Sequence, residues 1–322
     1  MKTMSHTNHP ATERQAVKTC HVCKGARFYY LFSISDYRVV RCDDCGLMFL
    51  NPQPSDDELT RIYDANYFLG SDTETGRQAV SEIKQATARL YLAETRRYSG
   101  LQYGRLLEIG CGDGDFLVAA EDEGWLVTGV EYSPTACEKV RRRLKNGQVH
   151  SGELAQAQFP AEQYDLCVLS DVIEHIRDPL VFLREIHRVL KPGGTLFVAT
   201  PSIDSWSARF MKQKWMEFKT EHLTYFDRQT LQTALAKSGF RDVIVQSGWK
   251  ILSFDYVKMH FERFPVPVVT PFLTFITRLM PRKMRLKHRQ IVASGMMVFS
   301  RKSEVTPQPV LSVVVPAFNE VK

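Results

Sequence analysis

Cysteine, histidine and carboxylate side chains are the groups here able to bind metal or move protons, and their spacing picks out three sets. The first is thiolate. Cys20-x2-Cys23 and Cys42-x2-Cys45 are two pairs separated by eighteen residues, the pattern in which two tight turns each offer two sulfurs to one tetrahedral zinc ion. Four thiolates close that tetrahedron, so such a metal is structural, with no open position for a substrate. Two disulfides or unlinked thiols are the alternatives, and a reducing compartment disfavours disulfides. The second set surrounds a glycine turn, Gly110-Cys111-Gly112-Asp113-Gly114, with Glu108 two residues before it and Glu131 closing the next apolar run. The third is histidine: His175 in Glu174-His175, and His222 in Glu221-His222 just ahead of Leu223-Thr224-Tyr225-Phe226. Imidazole is the usual base for a weak nucleophile near neutral pH.

The elements that position these groups read as strand, turn, helix. Leu106–Ile109 is a short buried strand, and the glycine turn leads into a helix from Asp115 to Glu123. Trp125–Val130 is a second strand ending on Glu131, followed by a helix over 135–145 and a short strand near Val149. Tyr164–Leu169 is another strand. A helix over 178–190 then reaches the turn Lys191-Pro192-Gly193-Gly194 and a strand, Thr195–Thr200. Alternation of this kind gives an α/β, doubly wound, Rossmann-like parallel sheet with its ligand at the carboxyl ends of the strands. Phe28–Phe32 and Tyr37–Arg41 read as a two-stranded ribbon between the cysteine pairs.

A glycine turn with an acid at the end of the second strand suits a ribose-bearing ligand, including a nicotinamide dinucleotide. The turn is G-x-G-x-G, however, where a dinucleotide needs G-x-G-x-x-G, and position 115 is Asp. Glu108 is a poor neighbour for a pyrophosphate and a good one for a cation, such as a sulfonium amino acid.

Leu106–Phe116 (LLEIGCGDGDF), Gly129-Val130-Glu131, Asp165–His175 (DLCVLSDVIEH) and Arg188–Pro201 (RVLKPGGTLFVATP) together resemble class I S-adenosylmethionine-dependent methyltransferases. Upstream, Tyr37–Pro54 and Ile62–Phe68 resemble the zinc-ribbon preamble of methyltransferases from sugar-modification and surface-glycan pathways. The resemblance implies that Glu108, Gly110, Gly112 and Gly114 line the methionine and ribose side of the cofactor. It places Glu131 on the ribose hydroxyls, Glu153 at the adenine edge, Ser170 and Asp171 beside the transferred methyl, and Tyr67 over the cofactor. It also implies a seven-stranded sheet whose last strand, Ala293–Lys302, is antiparallel and closes the sheet, after a helix over 227–240 and a strand over 242–247. The 218–226 loop resembles the acceptor-side loop of sugar C-methyltransferases, which implies His222 as general base and Glu221 as its orienter or a hydrogen-bond partner of the substrate. Those enzymes commonly carry Tyr two places before the Glu; this chain has Lys219, which favours oxygen over carbon as the acceptor atom. His175 follows the fourth strand, where the family often carries His for local packing and hydrogen bonding, and a direct role for it is the alternative.

The 322 residues, 44% hydrophobic and 24% charged, exclude a disordered or low-complexity chain. Net charge is +6, and the six basic residues Arg278, Arg282, Lys283, Arg285, Lys287 and Arg289 account for all of it. That is a local patch rather than the overall basicity of a nucleic-acid wrapper, so no nucleic-acid partner is expected. Beside it Phe272, Phe275, Ile276 and Leu279 fall at helical spacing, so 271–289 can rest on an anionic membrane surface, or form a lid or partner-contact helix whose charges are solvated. With no apolar leader at the N-terminus, the expected location is cytoplasmic, at the inner face of the membrane if that patch docks. Val310–Glu320 resembles the first strand and turn of a family 2 glycosyltransferase, which implies a glycosyltransferase domain in cis.

The domain reading is a mobile tail at 1–19, zinc ribbon at 20–50, helical connector at 51–95, methyltransferase at 96–302, linker at 303–309 and a truncated glycosyltransferase-like strand at 310–322. The expected function is methyl transfer from S-adenosylmethionine to a saccharide hydroxyl in surface-polysaccharide synthesis. An RNA or other small-molecule methyltransferase, and a non-catalytic cofactor-binding module, are the competing readings.

Overall fold

The computed structural model describes residues 13–64, 74–263 and 269–303. In chain order, β1 (Phe28–Ile34), β2 (Tyr37–Cys42) and β3 (Met48–Leu50) come first, then helices α1 (Asp56–Asp64) and α2 (Glu74–Ser99). The α/β part follows: β4 (Arg105–Ile109), α3 (Asp115–Asp122), β5 (Leu126–Glu131), α4 (Pro134–Arg143), β6 (Gln148–Ser151), β7 (Tyr164–Ser170), α5 (Pro179–Val189) and β8 (Leu190–Pro201). The remainder is α6 (Trp206–Met211), β9 (Thr224–Tyr225), α7 (Arg228–Lys237), β10 (Phe240–Leu252), α8 (Phe254–Arg263), α9 (Val269–Leu279), α10 (Arg282–Leu286) and β11 (Arg289–Lys302).

The main sheet has seven strands in the order β10-β11-β8-β7-β4-β5-β6. β4 lies at its centre, parallel to both β5 and β7, with Glu108 opposite Gly129 on one side and Val168 on the other. β4, β5 and β7 hold near-continuous apolar runs because helices cover both faces. Leu107, Ile109, Cys167, Leu169, Val198 and the α5 stripe Leu180, Leu183, Ile186 and Val189 fill one face. Leu106, Leu166, Val168, Phe197 and Phe299 meet α2 and α3 on the other. Each large side chain fully buried in this way contributes roughly 1.5–3 kcal/mol. Cys111, Cys137 and Cys167 are packed into these cores.

The last strand differs from expectation. It is antiparallel, but it begins at Arg289 and is inserted between β8 and β10, so β10 forms the edge. β10 in turn runs well past 242–247, because the two strands pair from Phe240 opposite Lys302 to Leu252 opposite Arg289. Backbones cross closely at Gly248, where a Cβ would lie 2.7 Å from the Gly295 carbonyl carbon. β8 also starts early, running through the expected turn at Lys191–Gly194, with the register shifting where it leaves Tyr164 for Leu166.

The second sheet is β1-β2-β3-β9, antiparallel throughout. Three of its strands belong to the cysteine-rich ribbon, and the fourth comes from the loop just after His222. Residues 13–19, expected in a mobile tail, are pinned to the segment that follows the ribbon. Gln15 bridges Gln53, the Val17 N–H donates to Asn51 Oδ1 at 3.0 Å, and Arg14 pairs with Glu58 at 3.0 Å. α2 buries Ala88, Tyr91 and Leu92 against the main sheet, so much of the expected connector packs as part of the α/β unit. The glycosyltransferase-like strand and Tyr67 lie outside the described residues.

Candidate active site

The parallel strands end together, and their ends build one crevice. After β4 the chain turns through three glycines, each at positive φ (73°, 52° and 80° at Gly110, Gly112 and Gly114), where a side chain is disfavoured. They do different work. A Cβ at Gly110 would meet Val172 Cγ2 at 2.6 Å, and one at Gly114 would meet Val140 Cγ1 at 2.7 Å, so both glycines allow close packing. A Cβ at Gly112 would meet no heavy atom within 4 Å; this is the glycine that faces the crevice. Asp115, nearly buried, locks the turn by accepting from Arg143 at 2.7 Å and from the Ser81 hydroxyl at 2.5 Å, and Arg143 also donates to the Asp113 carbonyl.

Glu131 ends β5 beside that turn. Its carboxylate accepts from the Gly112 N–H at 2.8 Å and the Ser133 N–H at 2.9 Å. Glu108 is 4% exposed, and its Oε2 has no hydrogen-bond partner. Burial, with Asp115 and Glu131 nearby, pushes its pKa well above the carboxylate range. An unpartnered buried carboxyl oxygen beside a glycine with open space in front of it fits a cationic, ribose-bearing ligand. A positive group near Glu108 relieves the repulsion, and Glu131 can exchange backbone donors for hydroxyls. Glu153 is exposed, one residue past the turn that follows β6. Ser170 ends β7, and Asp171 follows at φ 55°, paired with Lys250 of β10 at 2.9 Å.

On the other side of β7 and β8 lies a dense polar cluster. Glu174 is 2% exposed; it accepts from the Thr200 hydroxyl at 2.9 Å through Oε2, while Oε1 has no partner. Burial, with Asp171 adding to it, raises its pKa to about 8. The His175 and His222 rings sit edge to face, 4.8 Å apart, and one ligand atom from each of Glu174, His175 and His222 lies within 4.8 Å of the others. Each imidazole holds a backbone carbonyl through Nδ1: His175 that of Glu221 at 2.9 Å, His222 that of Glu217 at 2.8 Å. A carbonyl can only accept, so Nδ1 carries the proton in both rings, and in the neutral form Nε2 is the lone-pair nitrogen. Burial keeps them neutral. It lowers His175 to about 4, and with His175 and Lys219 beside it, His222 goes well below the usual imidazole value.

The loop is fixed by more than the histidines. The Leu223 N–H donates to the Glu174 carbonyl at 2.8 Å, and the Leu50 N–H of the ribbon donates to the Leu223 carbonyl at 3.0 Å. β9 then pairs with β3, so the ribbon grips the chain immediately after His222. His222 does not cap α7; Asp227 does, accepting from the Thr230 N–H at 2.7 Å. Glu221, expected to orient His222, instead offers its backbone carbonyl to His175.

Sequence reasoning missed several members of this cluster. Glu217 takes Lys219 at 3.2 Å and the Ser294 hydroxyl at 3.2 Å, and is held below its ordinary pKa, since Lys219 and Lys250 outweigh burial. Lys219 was visible only as a departure from a family pattern. Lys250, Tyr256 and His260 arrive from β10 and α8, which nothing local in the sequence ties to the site.

The four cysteine sulfurs gather within 4.8 Å of one another, with closest pairs Cys20–Cys45 at 3.6 Å and Cys23–Cys42 at 3.4 Å. Those separations are far beyond a disulfide and match the edges of a tetrahedron of thiolates about 2.3 Å from a metal. The Gly25 N–H donates to Cys23 Sγ at 3.3 Å, and the 42–46 turn closes with the Gly46 N–H on the Cys42 carbonyl at 3.0 Å. A separate concavity of about 430 Å³ lies between the ribbon and the loops after β8, lined by Phe32, Arg41, Met48, Asp204 and Phe218 among others. It contains none of the crevice or cluster residues named above.

A methyltransferase domain model, Methyltransf_23, matches residues 77–245, just over half the chain. The protein named "Probable S-adenosylmethionine-dependent methyltransferase Rv3030" of Mycobacterium tuberculosis is 32% identical over 141 residues, 43% of this chain and 49% of that protein. The ubiquinone biosynthesis O-methyltransferase of Pseudomonas aeruginosa is 31% identical over 107 residues, 32% of this chain and 46% of that one. The chain thus spans about half the length of these curated relatives. Among solved structures, the complex of the Haloferax volcanii Trm112 methyltransferase activator with a methyltransferase is similar with a TM-score of 0.51 at 18% identity, over 71% of this chain and 95% of that one, a likeness of fold alone. Sheet order, glycine crevice and family match agree: the chain belongs to the class I S-adenosylmethionine-dependent methyltransferase domain family Methyltransf_23.

Proposed function

We propose that this protein transfers a methyl group from S-adenosylmethionine to a hydroxyl oxygen of a saccharide, with His222 as general base. One observation carries the reading: His222 is buried, neutral and tied at Nδ1 to a carbonyl, which leaves Nε2 as a proton acceptor on the acceptor side of the strand ends. When bound, S-adenosylmethionine supplies a methyl carbon made electrophilic by its positive sulfur. Glu131 and the Gly112 turn would hold its ribose side, Glu108 would meet its cationic part, and Glu153 would take the adenine edge. His222 removes the acceptor hydroxyl proton at Nε2. His175 and the ribbon hold the loop in place, since alignment of donor and acceptor supplies much of the acceleration in a displacement of this kind.

The acceptor class draws on three supports. Asp171, Glu174, Glu217, Lys219, Glu221 and Lys250 make the acceptor side rich in hydrogen-bonding groups, which suits a polyhydroxylated substrate. The ribbon segment Tyr37–Pro54 resembles that of sugar-modifying methyltransferases. The similarity to ubiquinone biosynthesis O-methyltransferases over about a third of the chain supports oxygen as the receiving atom. The four thiolates bind one structural zinc ion. Metal analysis of the purified chain is expected to find one zinc per molecule, lost in Cys42→Ser.

The test of function is S-adenosylhomocysteine release by the full chain with glycan, RNA and phenolic acceptors side by side. Turnover with glycan that disappears in His222→Ala is the expected result. Turnover only with RNA or a phenol would replace the saccharide assignment, and cofactor binding without turnover on any acceptor would favour a non-catalytic module.

A further inference from the structure

Among the described residues no helix is long and apolar enough to cross a membrane, yet α9 is apolar on two faces. Its inner side, Leu273, Ile276 and Thr277, is partly or fully buried where α9 packs on α8. Its outer side presents Phe272, Phe275 and Leu279 at i, i+3 and i+7, and these are 59%, 62% and 70% exposed. Just beyond, Met284 and Leu286 of α10 are 44% and 47% exposed. A row of large apolar side chains left exposed on a helix already packed on its other side belongs against a second apolar surface, not in water.

The charges around this stripe indicate which surface. From Arg278 to Arg289 there are six basic residues and no acid. Arg285 is used internally, pairing with Asp255 of α8 at 3.4 Å, and Arg289 lies over the Phe254 ring at 5.5 Å. Arg278, Arg282, Lys283 and Lys287 are exposed and make no ion pair among the described residues. Two phenylalanines and a leucine at the centre of an exposed stripe, with free cations beside it, form the two-part signal of an interfacial helix: apolar insertion plus attraction to anionic headgroups.

We propose that α9 and α10 dock the protein on an anionic bilayer surface. The placement has a consequence for the active site. α8, which carries α9, also brings Tyr256 and His260 into the field of Glu217, Lys219 and Lys250. Docking through α9 therefore bears directly on the helix that borders the Glu217, Lys219 and Lys250 cluster. The surface assignment does not depend on which acceptor is methylated.

The experiment is co-sedimentation of the full chain with vesicles of phosphatidylglycerol and phosphatidylcholine, against phosphatidylcholine alone, at low and high salt. The expected result is binding to the anionic vesicles only, weakened by salt. It should fall roughly tenfold or more in Arg282→Gln/Lys283→Gln/Lys287→Gln and in Phe272→Ser/Phe275→Ser. Calorimetry with S-adenosylmethionine reports that both variants remain folded. Absence of binding to anionic vesicles, or equal binding by the folded variants, overturns the proposal. So does a dimer that forms without lipid and dissociates in the phenylalanine variant, which would assign the stripe to a second copy of the chain.

Discussion

The two halves of the proposed active site are built differently. On the cofactor side, Glu108, the three glycines and Glu131 fall within 24 consecutive positions, and short strand-turn geometry places every one of them. The acceptor side draws Asp171 to His175 from the end of β7, Glu217 to His222 from a loop, Lys250 from β10 and His260 from α8. The first half is a local device that any sequence with this turn can make. The second exists only once the chain has closed on itself, and its charges are balanced in pairs, Asp171 with Lys250 and Glu217 with Lys219. Substitutions should therefore separate the halves.

The largest separation is expected at His222. His222→Ala should lower kcat by about 10²–10⁴-fold, the usual contribution of a positioned base, while S-adenosylmethionine affinity by calorimetry changes by less than about threefold. A matching fall in cofactor affinity would merge the two halves into one cooperative unit. Glu131→Ala is the converse. It should weaken cofactor binding by about 10–100-fold, the loss of one or two charge-assisted hydrogen bonds, and leave turnover at saturating cofactor close to that of the parent.

The smallest effect is a stability difference confined to the acceptor side. The Glu174 carboxyl is raised from its ordinary 4.5 to about 8, so between those values the folded chain keeps a proton that the unfolded chain has released. Stability from this group is fully present below pH 4.5 and falls as pH rises toward 8. Glu174→Gln should remove that slope, giving a gain over the parent that is largest near pH 8 and shrinks toward pH 5, followed by thermal unfolding. His175, lowered from 6.5 to about 4, acts in the opposite sense and should make the parent lose stability as pH falls through that interval.

The same division explains what could be read from the sequence. The strand-helix alternation, the methyltransferase fold and the gathering of the four sulfurs were legible because each rests on residues close in the chain and on spacing that tolerates little variation. His222 was singled out only through its Glu-His context, and only the fold brings its ring against that of His175. The edge placement of β10, the early start of β11 at Arg289 and the entry of Lys250 and His260 were not, because an antiparallel pairing of this length is decided between segments some forty residues apart. Glu217 looked like any surface acid; its partner Lys219 and the Ser294 hydroxyl reach it only in the folded chain.

With His222 as the proposed base, the pairing of β3 with β9 gives the cysteine ribbon a part in catalysis without contact with any reactant. Anything that loosens the sulfur cluster, such as oxidation or chelation, also frees the backbone that aims the base. Loss of turnover should then precede loss of the fold, and the small module could not be excised to leave a slower but working enzyme.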